Sequence, residues 1–378
     1  MMTSDPTDRV LIVGGGVAGL AVARALHRRN VPALVLERCS GPGDAGLAIN
    51  LPGNAIRALA ELGLADALVR AGTAIRHRSY RTERDRTLFG IDEGAFWDAD
   101  AQPRCMRRAD LLHLLRLGLP DETVRENCGV SAIRQDETGV TVELADGTSE
   151  RGSLLVGADG VRSTVRRALF GETALGAAVL ARASWRFMAP NPGIDGWTLW
   201  SGRRGLLLLI PVEGEAYGWA ALTGDVPESS DLAAAASVFG SFPRPVRETL
   251  ASILARPDSI YHSPLEEVRI PRWSRGRVLL VGDAAHATAP VWAQGAAMAL
   301  EDALVLAGLL ADCPDWGTVG ETYERLRRPR VEHVQAMKDR VSRSARLPGW
   351  LQRRLLPIVG PKSYRSTYEP LRQSVLQA

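Results

Sequence analysis

The sequence predicts an α/β protein. A three-layer domain built from βαβ units carries an inserted, mostly antiparallel sheet domain and ends in C-terminal helices. Three observations predict this. The stretch "RVLIVGGGVAGLAVARALHRRN" (9–30) reads as an apolar strand, a glycine-rich turn and a helix. "GRVLLVGDA" (276–284) returns to the same style far downstream. Between them, from about 176 to 270, short strand-like runs carry Trp185, Trp197, Trp200 and Trp219. A chain of 378 residues, 46% of them hydrophobic, has enough apolar material for two domains or one large α/β unit.

The elements follow in order. "VPALVLER" (31–38) is a second apolar strand ending in an acid and completes a βαβ unit. "GNAIRALAELGLADALVRAG" (53–72) is helical with a break at Gly63. The periodicity weakens over 73–104, and "RRADLLHLLRLGL" (107–119) is helical again. "GVTVELADGT" alternates with period two, and Asp146-Gly147 signals a hairpin turn. "SLLVGADG" (153–160) is a buried strand followed by a helix. "GLLLLIPVEG" and "AYGWAALTG" pair as strands, with helix near 231–255. The domains expected are 1–74, 104–175 and 275–317 for the first, 75–103 and 176–274 for the inserted sheet, and 318–378 for the helical region.

Several classes are excluded or disfavoured. Formal charge is +3, and no basic run is long enough for a nucleic-acid footprint. "LRRPR" (326–330) is expected to be a solvated helix face. Cys39, Cys105, Cys128 and Cys313 form no C-x-x-C pair and show no zinc spacing, so no metal is expected and a reducing cytoplasmic setting fits. "MMTSDPTDR" lacks the pattern of a signal peptide, and "LLLLIPV" (206–212) is far too short to span a bilayer. A soluble protein is expected.

The glycine pattern Gly14-x-Gly16-x-x-Gly19 lies between strand and helix. Gly14 permits a tight turn, Gly16 lets a pyrophosphate approach backbone, and Gly19 lets helix pack on strand. The helix N-terminus favours phosphate by roughly 0.3–1 kcal/mol per charge. Glu37 stands where a carboxylate accepts ribose hydroxyls. This Rossmann-like fingerprint binds a dinucleotide but does not separate NAD from FAD. "VGDAAHATAPVWAQG" (281–295) does: an acid after a late strand accepts from a sugar-alcohol chain, and the following helix N-terminus faces an electron-rich ring.

With these motifs in order, the chain resembles the group A FAD-dependent aromatic monooxygenases, of the para-hydroxybenzoate hydroxylase type of fold. The matching residues are Gly14, Gly16 and Gly19 with Glu37 and Arg38; "GADGVRSTVR" with Asp159, Gly160, Arg162 and Ser163; and Gly282, Asp283, His286, Pro290, Gly295 and Asp302. "RRADL" and "YERLRRPR" match as well. The resemblance implies FAD as cofactor, with Val17, Ala18, Gly46, Ala48, Arg108, Val130, Gly282, Ala296 and Ala297 also at its site. It implies that NADPH or NADH reduces the flavin, that O2 adds to it, and that the hydroperoxide passes one oxygen to an aromatic or polycyclic small molecule. Asp283 would hold the ribityl chain, and the backbone from Gln294 to Ala297 would face the pyrimidine. Asp159 lies in a motif tied to FAD and NAD(P)H, and Arg108 to the pyrophosphate. One departure stands out: Ala293, after Trp292, occupies a position that is usually glycine in the family.

Because the flavin carries the chemistry, no catalytic side chain is assigned. Trp200, Leu208, Ile210 and Trp219 are expected on the wall facing the flavin, with Val291 and Trp292 in the loop. Leu208 and Ile210 share a strand face and line together or not at all. Arg186 is weighed between a substrate anion and an external salt bridge, and His286 is expected to pack or cap. "LPGWLQRRLLPIVGP" (347–361) packs on the body by default, with lid, membrane or partner contact as alternatives. Rival functions are a reductase of the same fold, a non-catalytic flavin or ligand binder, and a halogenase. The last needs a lysine in the first domain, and the only lysines are Lys338 and Lys362.

Overall fold

The computed structural model describes residues 8–41, 47–171, 178–181, 184–223, 232–262, 265–288, 292–344 and 349–377. Gly46, Pro290 and Val291, expected at the cofactor and substrate sites, lie outside the described residues.

The first and late apolar runs meet in one sheet. Val10–Val13 is central and runs parallel to Ala33–Leu36 on one side and Leu154–Gly157 on the other. Val278–Leu280 extends the sheet beyond Leu154–Gly157, and Val124–Arg125 closes the opposite edge. Strands buried on both faces read as continuous apolar runs, which explains why these segments stood out in sequence. The helices Val17–His27 and Gly295–Asp312 pack against each other and supply much of the largest core. The hairpin at Asp146-Gly147 forms as expected, within the antiparallel strands Val130–Gln135, Val140–Leu144 and Ser149–Gly152.

The second sheet has seven strands. Its order is Tyr261–His262, Ser184–Pro190, Glu215–Leu222, Gly205–Val212, Trp197–Ser201, His77–Thr82 and Thr87–Asp92. Neighbours are antiparallel except Trp197–Ser201 beside His77–Thr82. The strands at 77–92 were hidden in sequence because "HRSYRT" and "TLFGID" mix charge and aromatics without clean alternation.

Register divides this sheet into two faces. On the back, Trp185, Phe187, Trp200, Leu207 and Leu209 pack against Leu232, Phe239, Phe242, Val246, Leu250 and Ile253 from the helical stretch. On the front, pairing produces two rows. One runs Arg186, Trp219, Leu208, Leu199, Tyr80, Phe89; the other runs Met188, Tyr217, Ile210, Trp197, Arg78, Ile91. Ala48, Ile75 and Cys105, from the layer below, complete an apolar cluster with this front face.

"LRRPR" corrects the sequence reading. It lies in the helix Val319–Ser344, yet Arg327 is wholly buried and Arg330 is held by the buried Glu301. Arg328 stacks over Trp273 at 4.7 Å. Charged side chains are almost never fully buried unless paired, and the partners sit on another helix, invisible to local reading.

Candidate active site

The fingerprint turn is built for close approach. Gly14 has φ +107°, and a Cβ there would stand 2.6 Å from the Ala158 carbonyl oxygen. A Cβ on Gly19 would stand 1.8 Å from the Gly14 oxygen. Only glycine fits either place. A Cβ on Gly16 would meet nothing nearer than Arg108 Nη2 at 3.9 Å, so this position opens onto a guanidinium. Arg108 is the first residue of the helix Arg108–Arg116, and its N–H donates to the Leu47 carbonyl at 2.8 Å. The helix Val17–His27 has no side-chain cap and no acid in its first turn, which leaves its N–H groups and dipole to an anion. Val17 and Ala18 form that first turn.

Glu37 borders the same turn. Its carboxylate accepts from the Gly15 N–H at 2.6 Å and from the Cys39 N–H at 2.9 Å. Its carbonyl accepts from the Cys128 N–H at 2.7 Å, which brings the start of the Val130–Gln135 strand alongside. Arg38 is exposed, and Ala48 is buried at the head of its strand beneath the second sheet.

Asp159 uses its carboxylate within its own motif. Its carboxylate accepts from Ser163 Oγ at 2.5 Å and from the Thr164 and Val165 N–H groups at 2.6 and 3.1 Å. The charge therefore caps the helix Thr164–Phe170, and the loop it shapes presses against Gly14. Arg166, missed in sequence, joins this motif to the late one by donating to the carbonyls of Ala284 at 2.9 Å and Val161 at 2.6 Å.

Asp283 opens the short helix Asp283–His286. Its side chain is solvent-accessible, yet enclosed enough that its pKa is raised. Loss of bulk water outweighs the attraction of His286, Arg108 and Arg186. An accessible carboxylate in a dehydrating hollow, within electrostatic reach of Arg108 below and Arg186 on the second sheet, marks a cavity between the layers. Gly295, at the start of the helix Gly295–Asp312, borders the same carboxylate; a Cβ there would lie 3.6 Å from Asp283 Oδ1. That helix too has no side-chain cap and no acid in its first turn, where Ala296 and Ala297 lie.

Behind this loop every buried charge is paired. Asp302 accepts from the Gly282 N–H at 2.9 Å, His286 Nε2 at 2.7 Å and Arg327 Nε at 2.8 Å. Burial alone would raise its pKa, but the His286 and Arg327 charges and hydrogen bonds prevail and hold it well below the carboxylate range. His286 is thus a buried positioning group, as packing predicted. Glu301 accepts from Arg327, Arg330 and Asn54 Nδ2, the last at 3.0 Å. Asn54 and Gln294 exchange bonds of 3.0 and 3.1 Å, fixing the residue before Gly295.

Ala293 has φ +53°, in the left-handed region that favours glycine. Its departure from the family pattern therefore carries backbone strain. Trp292 is buried. Its carbonyl accepts from Tyr368 Oη at 2.6 Å, and its ring meets the Tyr368 ring edge-on at 5.9 Å.

On the second sheet, Leu208, Ile210, Trp219 and Arg186 share the front face. Trp200 is a correction: it pairs with Leu207, stands on the back, and donates through Nε1 to Asp85 Oδ1 at 2.8 Å. Front-face residues that sequence reasoning missed include Tyr217, whose phenol burial keeps neutral against the pull of Arg186. Arg78 is also on this face, paired with the buried Glu93 and lying over Trp197 at 5.1 Å. No group of three or more His, Cys, Asp or Glu side chains among the described residues could hold a metal.

The cradle fits FAD. It offers an open glycine facing a guanidinium, two uncapped helix N-termini, and an accessible carboxylate inside a hollow. Comparison with known proteins agrees. Residues 7–338 match the family model described as FAD binding domain. The chain is 32% identical over 373 residues to 3-amino-4-hydroxybenzoate 2-monooxygenase PtmB3 of Streptomyces platensis, covering 93% of this chain and 92% of the relative. It is 30% identical to the 2-heptyl-3-hydroxy-4(1H)-quinolone synthase of Pseudomonas aeruginosa, covering 96% and 97%. Among solved structures, Klebsiella pneumoniae HpxO complexed with FAD and uric acid superposes with a TM-score of 0.78 at 25% identity, covering 97% of this chain and 92% of that one. The tetrameric form of 2-methyl-3-hydroxypyridine-5-carboxylic acid oxygenase gives a TM-score of 0.82 at 25% identity, covering 99% and 98%. The chain belongs to the FAD-binding-domain family and is an FAD-dependent monooxygenase of the para-hydroxybenzoate hydroxylase-type fold.

Proposed function

We propose that the chain uses NADPH or NADH and O2 to insert one oxygen atom into an aromatic or polycyclic small molecule, with hydroxylation as the outcome. The observation that carries this reading is the apolar front face of the second sheet, set opposite the hollow around Asp283 and Gly295. Bound FAD supplies the electron transfer and oxygen activation. The chain's own residues hold and orient. Asp283 accepts from the ribityl hydroxyls, Arg108 and the first turn of Val17–His27 hold the pyrophosphate, and Glu37 takes the ribose. The N–H groups from Gln294 to Ala297 face the pyrimidine edge. The loop shaped by Asp159 closes the cradle against Gly14.

Leu199, Leu208 and Trp219, half-buried on this face, form a wall that receives a planar ring, with Ile210 and Trp197 buried in the packing that supports it. Arg186 lies beside that wall and faces an acidic or phenolic oxygen of the substrate. Planar, oxygen-bearing rings are what the relatives' names describe: an aminohydroxybenzoate, a quinolone and uric acid. The four cysteines are unbridged, which suits a reducing cytoplasmic setting. No helix among the described residues is long and apolar enough to cross a membrane.

The test is a panel of hydroxybenzoates, quinolones and purines with purified holoenzyme, following NAD(P)H oxidation and incorporation of labelled oxygen from O2. Oxidation stimulated by one ring class, with label in the product, supports the reading. Product formed anaerobically would make it a reductase, and ligand binding without turnover would make it a binder.

A further inference from the structure

We propose that the outer face of the helix Gly349–Tyr368 docks the protein peripherally on an anionic phospholipid surface. The described residues contain eight exposed large hydrophobics, and three of them sit together here: Leu355 at 38%, Ile358 at 62% and Val359 at 49% exposure. Their spacing of i, i+3 and i+4 puts them on one stripe. Arg354, Lys362 and Arg365, all exposed, flank that stripe. The opposite stripe is committed to the protein. Gly360 packs directly on the Phe89 ring, Tyr364 donates to Glu93 Oε2 at 2.5 Å, and Tyr368 donates to the Trp292 carbonyl. The helix is therefore anchored on one side and presents apolar and cationic groups on the other.

Charge decides what meets that face. From Arg340 to Tyr368 the sequence holds seven lysines and arginines and no acid, in a chain whose whole formal charge is +3. The remainder of the sequence is net negative, and the charged side chains described on this helix, Arg354, Lys362 and Arg365, are all exposed cations. A second copy docking through the same patch would bring like charges together, and three apolar side chains are too few for the core of a stable dimer. An anionic bilayer satisfies both features: the cations stay at the headgroups while Leu355, Ile358 and Val359 enter the acyl boundary.

The experiment is vesicle flotation with full-length, FAD-loaded protein. It uses phosphatidylcholine alone against phosphatidylcholine with about a third phosphatidylglycerol, enough to give a negative surface potential. The expected result is flotation with the anionic vesicles only. It should fall steeply between about 0.1 M and 1 M salt, as the screening length shrinks from about 10 to 3 Å. Ile358→Asp with Val359→Asp abolishes flotation, and Lys362→Gln weakens it about fivefold. Both variants keep their FAD content and their activity on a water-soluble substrate, because none of the three residues touches the cradle. Ile358→Ser serves as a milder second variant and reduces flotation in the same direction. Three results overturn the proposal: no preference for anionic vesicles, flotation unchanged in the aspartate variant, or a concentration-dependent dimer in sedimentation that the same substitutions dissolve.

Discussion

The two sides of the cavity treat their buried polar groups in opposite ways. Behind the late loop, Asn54, Gln294, Glu301, Asp302, His286, Arg327 and Arg330 form a network in which each charge meets at least one partner of opposite sign or a hydrogen bond. Across the cavity, on the front face of the second sheet, Trp219 Nε1 and Arg78 Nη2 are buried without a hydrogen-bond partner among the described residues. Buried orphans are rare in native proteins, and two on one sheet face call for an explanation. The network holds the loop for one invariant ligand, and such a site rewards full preorganisation. The sheet face leaves donors unpaired on the side that faces the cofactor loop.

The strongest way to break this contrast is Arg327→Met. It takes the shared guanidinium from Glu301 and Asp302, leaving them with Arg330 and His286, and is expected to cost about 3 kcal/mol. Urea unfolding of the FAD-free protein measures it; a loss under 1 kcal/mol would show that the network is ornamental. The same network sets an acid limit. Asp302 titrates below its unfolded value of about 3.9, so its contribution is complete above that pH and is lost as pH falls toward the folded value. Asp302→Asn flattens the acid limb of a stability–pH curve and lowers stability at neutral pH.

Next in size is Asp283→Ala. Losing a charge-assisted acceptor for the ribityl chain is expected to cost about 1.5–3 kcal/mol in FAD binding, a tenfold to hundredfold rise in Kd by flavin-fluorescence titration. Unchanged affinity would move the cofactor elsewhere. Ala293→Gly relieves the left-handed φ and is expected to stabilise by no more than about 1 kcal/mol, read as a small rise in Tm. The smallest stability effect sharpens the other side. Trp219→Phe keeps a ring and deletes the orphan N–H, so unfolding shifts by less than about 0.5 kcal/mol. KM for an oxygen-bearing ring rises while FAD affinity stays the same. A KM change equal for substrates with and without that oxygen would show that the indole serves only packing.

Much of the cofactor side was legible because backbone constraints are local. A turn that admits only glycine announces itself as Gly14 and Gly19, and an uncapped helix start announces itself as small residues after a strand. The oddity of Ala293 was legible too, though only its φ of +53° says why glycine is the usual occupant. The sheet was harder. Alternation correctly put Leu208 and Ile210 on one face, but alternation has no sign. Trp200 was expected beside them, and the pairing of Trp200 with Leu207 sends it to the back.

By itself, then, the sequence determined what depends on neighbours along the chain: the fingerprint, the late loop, the alternating strands and the helices. Tertiary structure alone decided what depends on neighbours across it. It buried Arg327 against acids 25 and 26 residues away, made His286 a brace and Asp159 a cap, and chose which face of the sheet looks into the cavity. The physical reason is that a charge or an aromatic ring has no fixed preference until its surroundings set the local dielectric and supply a partner. A backbone angle or a missing Cβ carries its constraint wherever it goes.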